Sequence, residues 1–294
     1  MLPSLLTALC FALSVVFAAR SARLIGSGAA NFARMIVALI LLAGWAHFFG
    51  EGLAGKKSLP WFLLSGAVGF GFGDIALFLA LTRIGPRLTV LLAQCLAAPL
   101  GTLIERWWLG TEMRAAQLAC GAVILLGVAL AVAPQRHVDV HRPTFFSGAF
   151  FGVLAALGQA LGAVISRKAY FVAAASSIHP DGGTAAYQRM LGGVLFAALF
   201  FAVTRHAKFS RAVSSPRQAA PWVVANALAG PALGVACYQW ALATTPTGVV
   251  LPIVATTPVA AIPIAWFMDG DRPSVRSLVG GLVAVAGTVA LTRV

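Results

Sequence analysis

From Leu2 to Leu291 the chain is a near-continuous series of apolar runs, each close to the length that crosses a bilayer. A spanning helix needs about 20 mostly apolar residues. Short connections carrying charge, Pro and Gly divide the sequence into ten such pieces. These are Leu2–Ala19, Ala30–Phe48, Pro60–Leu81, Leu88–Ile104 and Arg114–Ala133, then Phe145–Ile165, Ala185–Val203, Ala220–Ala241, Val249–Phe267 and Val275–Leu291. The expected fold is an all-α integral membrane protein with ten transmembrane helices.

Composition agrees with that division. Charged residues make up 10% of the 294 positions and hydrophobic residues 60%, against about 25% charged in a soluble domain. The net charge of +13 comes from Lys and Arg scattered through short connections, with no basic stripe and no interleaved aromatics. Contact with anionic lipid headgroups accounts for it better than nucleic acid. Cys10, Cys95, Cys120 and Cys237 lie in separate apolar runs without C-x-x-C spacing, and read as small buried hydrophobes. The first run lacks a basic leader and matches a later segment, so it reads as a permanent helix.

An internal repeat organises the chain. Pro60-Trp61 recurs as Pro221-Trp222, 161 residues on, and at that offset Gly69, Gly73 and Ala80-Leu81 fall on Gly230, Gly234 and Ala241-Leu242. Pro99 and Trp107 match Pro258 and Trp266 at 159, and Gly121 and Gly127 match Gly281 and Gly287 at 160. Arg34-Met35 matches Arg189-Met190. The expected organisation is a first half at 1–134, a linker at 135–144 and a second half at 145–294. Five helices per half is an odd number, so the halves enter the membrane in opposite senses. Inverted repeats around a midplane cavity are an architecture of secondary transporters.

The stretch GFGFGDIALFLALTRIGPRLTVLLAQCLAAPLGTLIERWWLGTE from Gly69 to Glu112, continued by MRAAQLACGAVILLGVALAV, resembles the EamA domain of the drug/metabolite transporter superfamily. The second copy runs from Gly230 to Leu291. The likeness lies in the order of elements: a helix ending in Ala-Leu, a basic turn, a helix with a central Pro, a Gly-Glu turn and a Gly-x5-Gly closing helix. The turn departs from the pattern, as Gly110-Thr111-Glu112 and as Asp269-Gly270-Asp271. Small multidrug members of the superfamily use a glutamate in helix one. Leu2–Ala19 and Phe145–Ile165 contain no carboxylate, so that mechanism does not transfer. The resemblance implies a ten-helix metabolite transporter in the plasma or inner membrane, with helices one, three, four, six, eight and nine around the cavity. It also implies cytoplasmic termini, although the larger share of Lys and Arg then falls on the opposite face, against the positive-inside tendency.

Asp74 is the one carboxylate well inside an expected span. An ionisable group at that depth is a functional candidate, since burying it uncompensated costs at least about 2.5 kcal/mol. Its roles are coupling, by binding a proton or a cationic substrate group, or an ion pair with Arg34. Gln94, Gln159, Asn226, Tyr238, Gln239, Trp240 and Thr256 are candidate substrate contacts on helices four, six, eight and nine. Their competing role is hydrogen bonding between helices, and for Trp240 interfacial anchoring. Pro99 and Pro258 are candidates for a shared kink or gate. The Gly-x3-Gly pairs at 69/73, 148/152, 158/162 and 230/234 read as packing positions.

His137, Asp139 and His141 alternate in the linker, where they could align on one face of a strand; no metal site and no cofactor are expected. An intramembrane enzyme needs a nucleophile and base, or paired acids, at one depth, and every histidine lies at or beyond a helix end. The competing readings are a scaffold or receptor and an enzyme without transport. The preferred one is a carrier, most simply an exporter of amino acids or similar amphiphiles, whose partners are a small-molecule substrate and the lipid bilayer.

Overall fold

In the computed structural model the described residues are 1–53, 55–133, 142–204, 216–269 and 274–294. They form helical rods with no strand among them. In the first half the rods are α1 (Leu2–Ile25), α2 (Ser27–Phe48), α3 (Leu59–Gly85), α4 (Leu88–Leu109) and α5 (Ala115–Val132). In the second they are α6 (Arg142–Ala174), α7 (Gly182–Thr204), α8 (Pro216–Thr244), α9 (Thr247–Met268) and α10 (Val275–Leu291). Among the described residues eight helices are long and apolar enough to cross a membrane, and the chain is a multi-pass membrane protein. Of the other two, α10 is an apolar helix of 17 residues. In α7, Tyr187, Gln188 and Arg189 lower the hydropathy of the first turns. Several rods overrun their expected spans. The polar ends of α1, α4, α6 and α8 continue the helix beyond the apolar core.

The interior is built from small side chains and the outside from large ones. Ala12, Ala97, Ala156, Ala160 and Ala163 are buried, whereas Phe267, Trp107 and Phe48 are 92%, 90% and 84% exposed. Lipid tails are as apolar as leucine, so close backbone approach rather than water exclusion selects the packing residues. The Gly-x3-Gly pairs act in this way where α3 crosses α6. A Cβ on Gly158 would lie 2.6 Å from the Cα of Gly73, and one on Gly162 would lie 3.0 Å from that of Gly69. Where α5 crosses α10, Gly127 faces the backbone of Gly280 and Ala284. The four cysteines are free and half-buried rather than fully buried.

The halves are interleaved. α1 packs against α8 and α9, while α6 packs against α3 and α4; likewise α2 meets α8, and α7 meets α3. The repeat seen in sequence is also present in backbone geometry. α3 widens into a π-helical stretch at Ala67–Gly73, and α8 does so at Leu228–Gly234. The two stretches are 161 residues apart, the offset of the tryptophan and glycine pairs. Each wide turn faces an arginine from the other half. The Nη2 of Arg189 would be 2.5 Å from a Cβ on Gly69, and the Nη1 of Arg34 3.6 Å from one on Gly230.

The prolines do not share a geometry. Pro99 lies within α4, whose residues stay helical from Leu88 to Leu109. α9 breaks at Ala255–Thr256, where Thr256 N donates to Ile253 O, and Pro258 sits in the first turn of the helix that resumes at Thr257. A first-turn proline has no intrahelical donor to lose, so it marks a restart rather than a bend. The linker expected at 135–144 lies outside the described residues as far as 141, and with it His137, Asp139 and His141; residues 142–144 belong to α6.

Candidate functional site

Interleaving leaves a cavity of about 200 Å³ whose walls come from α1, α3, α4, α6, α7, α8 and α9. Its polar groups are Asp74, Gln94, Gln159, Arg189 and Tyr238, set among Phe11, Phe70 and aliphatic side chains. Gln159 Nε2 donates to Gln94 Oε1 across α6 and α4 at 3.2 Å. Asp74 opens the α-helical continuation of α3 immediately after its π-helical stretch. The wide turn and Gly73 set its carboxyl on the cavity side.

Four of the eight expected contacts thus meet in one place, and four do not. Asn226 is 1% exposed and accepts a 2.6 Å hydrogen bond on Oδ1 from Ser14 Oγ, tying α8 to α1. Its repeat partner Ser65, 161 residues earlier, donates to Gly162 O at 2.6 Å and so ties α3 to α6. The pair is interhelical glue. Gln239 is fully buried away from the cavity. Trp240 is 48% exposed and points outward. Thr256 bonds its own helix at Ile253 O. Pro258 lines a second cavity of about 220 Å³ with Arg276 and Ser277. Arg34 makes no ion pair with Asp74 among the described residues; its Nε donates to Asn31 Oδ1 at 2.8 Å.

Two charged features escaped the sequence reading. The first is Arg189, which the expected span placed near a helix end. α7 begins at Gly182, so Arg189 lies seven residues or ~10 Å in, at ~1.5 Å per residue. It is 4% exposed, with its Cζ 4.8 Å from the ring centroid of Phe70 and 5.5 Å from that of Tyr238. Its identity as the repeat partner of Arg34 was the available signal. The second is Glu105, which shows that Asp74 is not the sole buried acid. Helix α4 runs past Ile104 and carries Glu105 to 2% exposure.

Glu105 belongs to a closed network at the end of the molecule that holds both termini. Arg167 Nε donates to Glu105 Oε1 at 2.5 Å. Glu105 Oε2 accepts from Thr247 N at 2.6 Å and from Thr247 Oγ1 at 2.5 Å. Arg167 Nη1 donates to Leu242 O and Thr245 O, both at 2.8 Å. Glu105 thus sits at the positive N-terminus of α9 and Arg167 at the negative C-terminus of α8, where each takes up backbone groups the helices cannot pair. At the same end Asp181 caps α7, accepting from Gly183 N at 2.8 Å and Thr184 N at 3.2 Å. Trp45 Nε1 also donates to it at 2.8 Å. Partial burial works to raise the Asp181 pKa, but the bonds from Thr184, Trp45 and Gly183 outweigh it and hold the carboxyl below its usual value.

The sequence matches the model of the EamA-like transporter family twice, over residues 1–133 and 146–293. No curated protein matches. A solved structure titled only "Crystal structure of protein" is similar over 99% of this chain and 95% of that one, with a TM-score of 0.76 at 18% identity. At that identity the likeness is one of fold.

Proposed function

Because the chain belongs to the EamA-like transporter family, and so is a membrane transporter of the drug/metabolite superfamily, we propose that it exports small amphiphilic metabolites such as amino acids by alternating access. Ten transmembrane helices form two inverted five-helix halves, the second opening with α6 at Arg142, in the plasma or inner membrane. The observation that carries this reading is the central cavity, whose walls are drawn from both halves and whose polar groups include Asp74. A rocking motion of one half against the other changes the side to which such a cavity opens. The exchange of partners between halves, α1 against α8 and α9, α6 against α3 and α4, supports a pseudo-twofold scaffold for that motion.

Within the cavity Asp74 binds a proton or a cationic group and so couples transport to a gradient. Coupling requires a group that changes state during the cycle, and a carboxyl in a cavity lined by apolar walls, two amides and the Arg189 guanidinium can do so. Purified protein in proteoliposomes should accumulate radiolabelled leucine against a proton gradient, and Asp74→Asn should abolish the accumulation while keeping the thermal midpoint. Normal accumulation by Asp74→Asn would remove it from coupling. Absence of gradient-driven flux for every amino acid offered to the wild type would remove the carrier reading itself.

A further inference from the structure

We infer that Arg189 is the anion-binding residue of the central cavity, and that the substrate therefore carries a carboxylate. The inference rests on the carrier reading for its substrate and on the geometry of Arg189 for its chemistry. Nε and Nη1 of Arg189 are buried and have no hydrogen-bond partner among the described residues. Nη2 lies over Gly69 and Gly162, where a Cβ would stand 2.5 and 3.2 Å away. The guanidinium lies over the rings of Phe70 and Tyr238, with Cζ 4.8 and 5.5 Å from their centroids. Packing thus confines the group and leaves Nε and Nη1 without an acceptor.

A buried cation is tolerated where acceptors satisfy it, and an orphaned one is expensive. Arg167 illustrates the satisfied case with a carboxylate and two carbonyls. Around Arg189 the nearest candidate is Asp74, which lines the same cavity, yet the two form no ion pair among the described residues. The Tyr238 hydroxyl, which sits against Arg189 and meets no acceptor, offers a second donor beside it. A carboxylate brought through the cavity supplies what both lack, and arginine suits it because guanidinium donors match carboxylate geometry. Asp74 attracts Arg189 across the cavity without contacting it, and is then available to an amine on the same substrate. The two charges together describe a small zwitterion, and the cavity of about 200 Å³ is of matching scale.

Four compounds with one apolar tail separate the possibilities: L-leucine, 4-methylpentanoate, L-leucinamide and 3-methylbutylamine. The acids should raise the thermal midpoint of the purified wild-type protein, and the amide and amine should bind far more weakly. Arg189→Gln should weaken leucine and 4-methylpentanoate binding by at least about 30-fold, as expected for truncating one partner of a buried charge pair. Arg189→Lys should recover part of the affinity, and Arg189→Met should fold with an undiminished midpoint. The inference fails if neither acid binds, if amide and acid bind alike, or if Arg189→Gln binds acids unchanged. It also fails if Arg189→Met melts as early as a variant of Arg167, since that marks a structural cation. Arg189-dependent binding without flux in proteoliposomes would remove the carrier reading alone, and flux confined to the amine would remove this inference alone.

Discussion

Two arginines of the second half are buried to nearly the same extent, and the protein uses them in opposite ways. Arg167, 6% exposed, has a carboxylate on one edge and two helix-end carbonyls on another. Arg189, 4% exposed, lies over the rings of Phe70 and Tyr238 and has two donors that meet no acceptor. The first joins α4, α6, α8 and α9 where the chain must turn. The second faces the space those helices enclose. Burial alone therefore does not separate a structural charge from a functional one. The distinction lies in whether the protein itself supplies the counterpart.

The largest effect expected of this comparison is at Arg167. Removing one member of a buried pair leaves the other uncompensated and costs about 3–5 kcal/mol. Arg167→Met and Glu105→Gln should each lower the unfolding midpoint steeply in detergent. Combining Arg167→Met with Glu105→Leu, which puts apolar residues at both positions, should recover most of the loss, because it leaves no orphan charge. Arg189→Met tested alongside should not destabilise at all. If the two arginine variants melt together, the contrast between the sites is false.

A smaller effect separates glue from cavity among the neutral residues. Asn226 and Gln94 were indistinguishable as amides in an apolar run, yet Asn226 bonds Ser14 across α8 and α1 while Gln94 lines the cavity. Interhelical hydrogen bonds in membranes are worth about 0.6 kcal/mol on average and up to ~1.7. Asn226→Ala should cost that much in stability and leave leucine binding unchanged; Gln94→Ala gives up the interhelical bond from Gln159, so it should cost as much in stability and weaken leucine binding as well. Equal loss of binding in both variants would put Asn226 back among the substrate contacts.

Much of this architecture was legible in the residues, for identifiable reasons. Lipid imposes a length and an apolar composition on every span, so helix positions could be read directly. Duplication repeats its glycines, prolines and tryptophans at a constant offset, and Ala67–Gly73 and Leu228–Gly234 carry that offset into the backbone. Asp74, Gln94, Gln159 and Tyr238 stood out because polarity is rare at that depth. Depth itself was harder to read near helix ends. Arg189 sat in the first turns of its expected span, with α7 starting three residues earlier, and Glu105 lay just past the expected end of α4, whose added turn carries it inside. Which face of a helix a residue occupies was illegible for Asn226 and Gln239. Facing is set by packing between the halves, and a single sequence does not contain that information.

The smallest effect expected is at Asp181, a carboxylate that has neither a cation, like Glu105, nor an open cavity, like Asp74. Its partners are the neutral donors of Thr184, Gly183 and Trp45. They hold its pKa below the ordinary 3.8 despite partial burial. A carboxyl depressed in the folded state contributes stability in full above its unfolded pKa and loses it as the pH falls through the folded value. The contribution is thus constant at neutral pH and fades below about pH 4. Asp181→Asn keeps a good capping residue and gives up only the charge at the N-terminus of α7, a loss of about 0.3–1 kcal/mol. Thermal midpoints measured from pH 7 to pH 3 should start slightly lower for the variant and converge with the wild type in the acidic range. Two parallel curves would mean that the charge of Asp181 contributes nothing beyond its hydrogen bonds, and the termini end of the molecule would then rest on Glu105 and Arg167 alone.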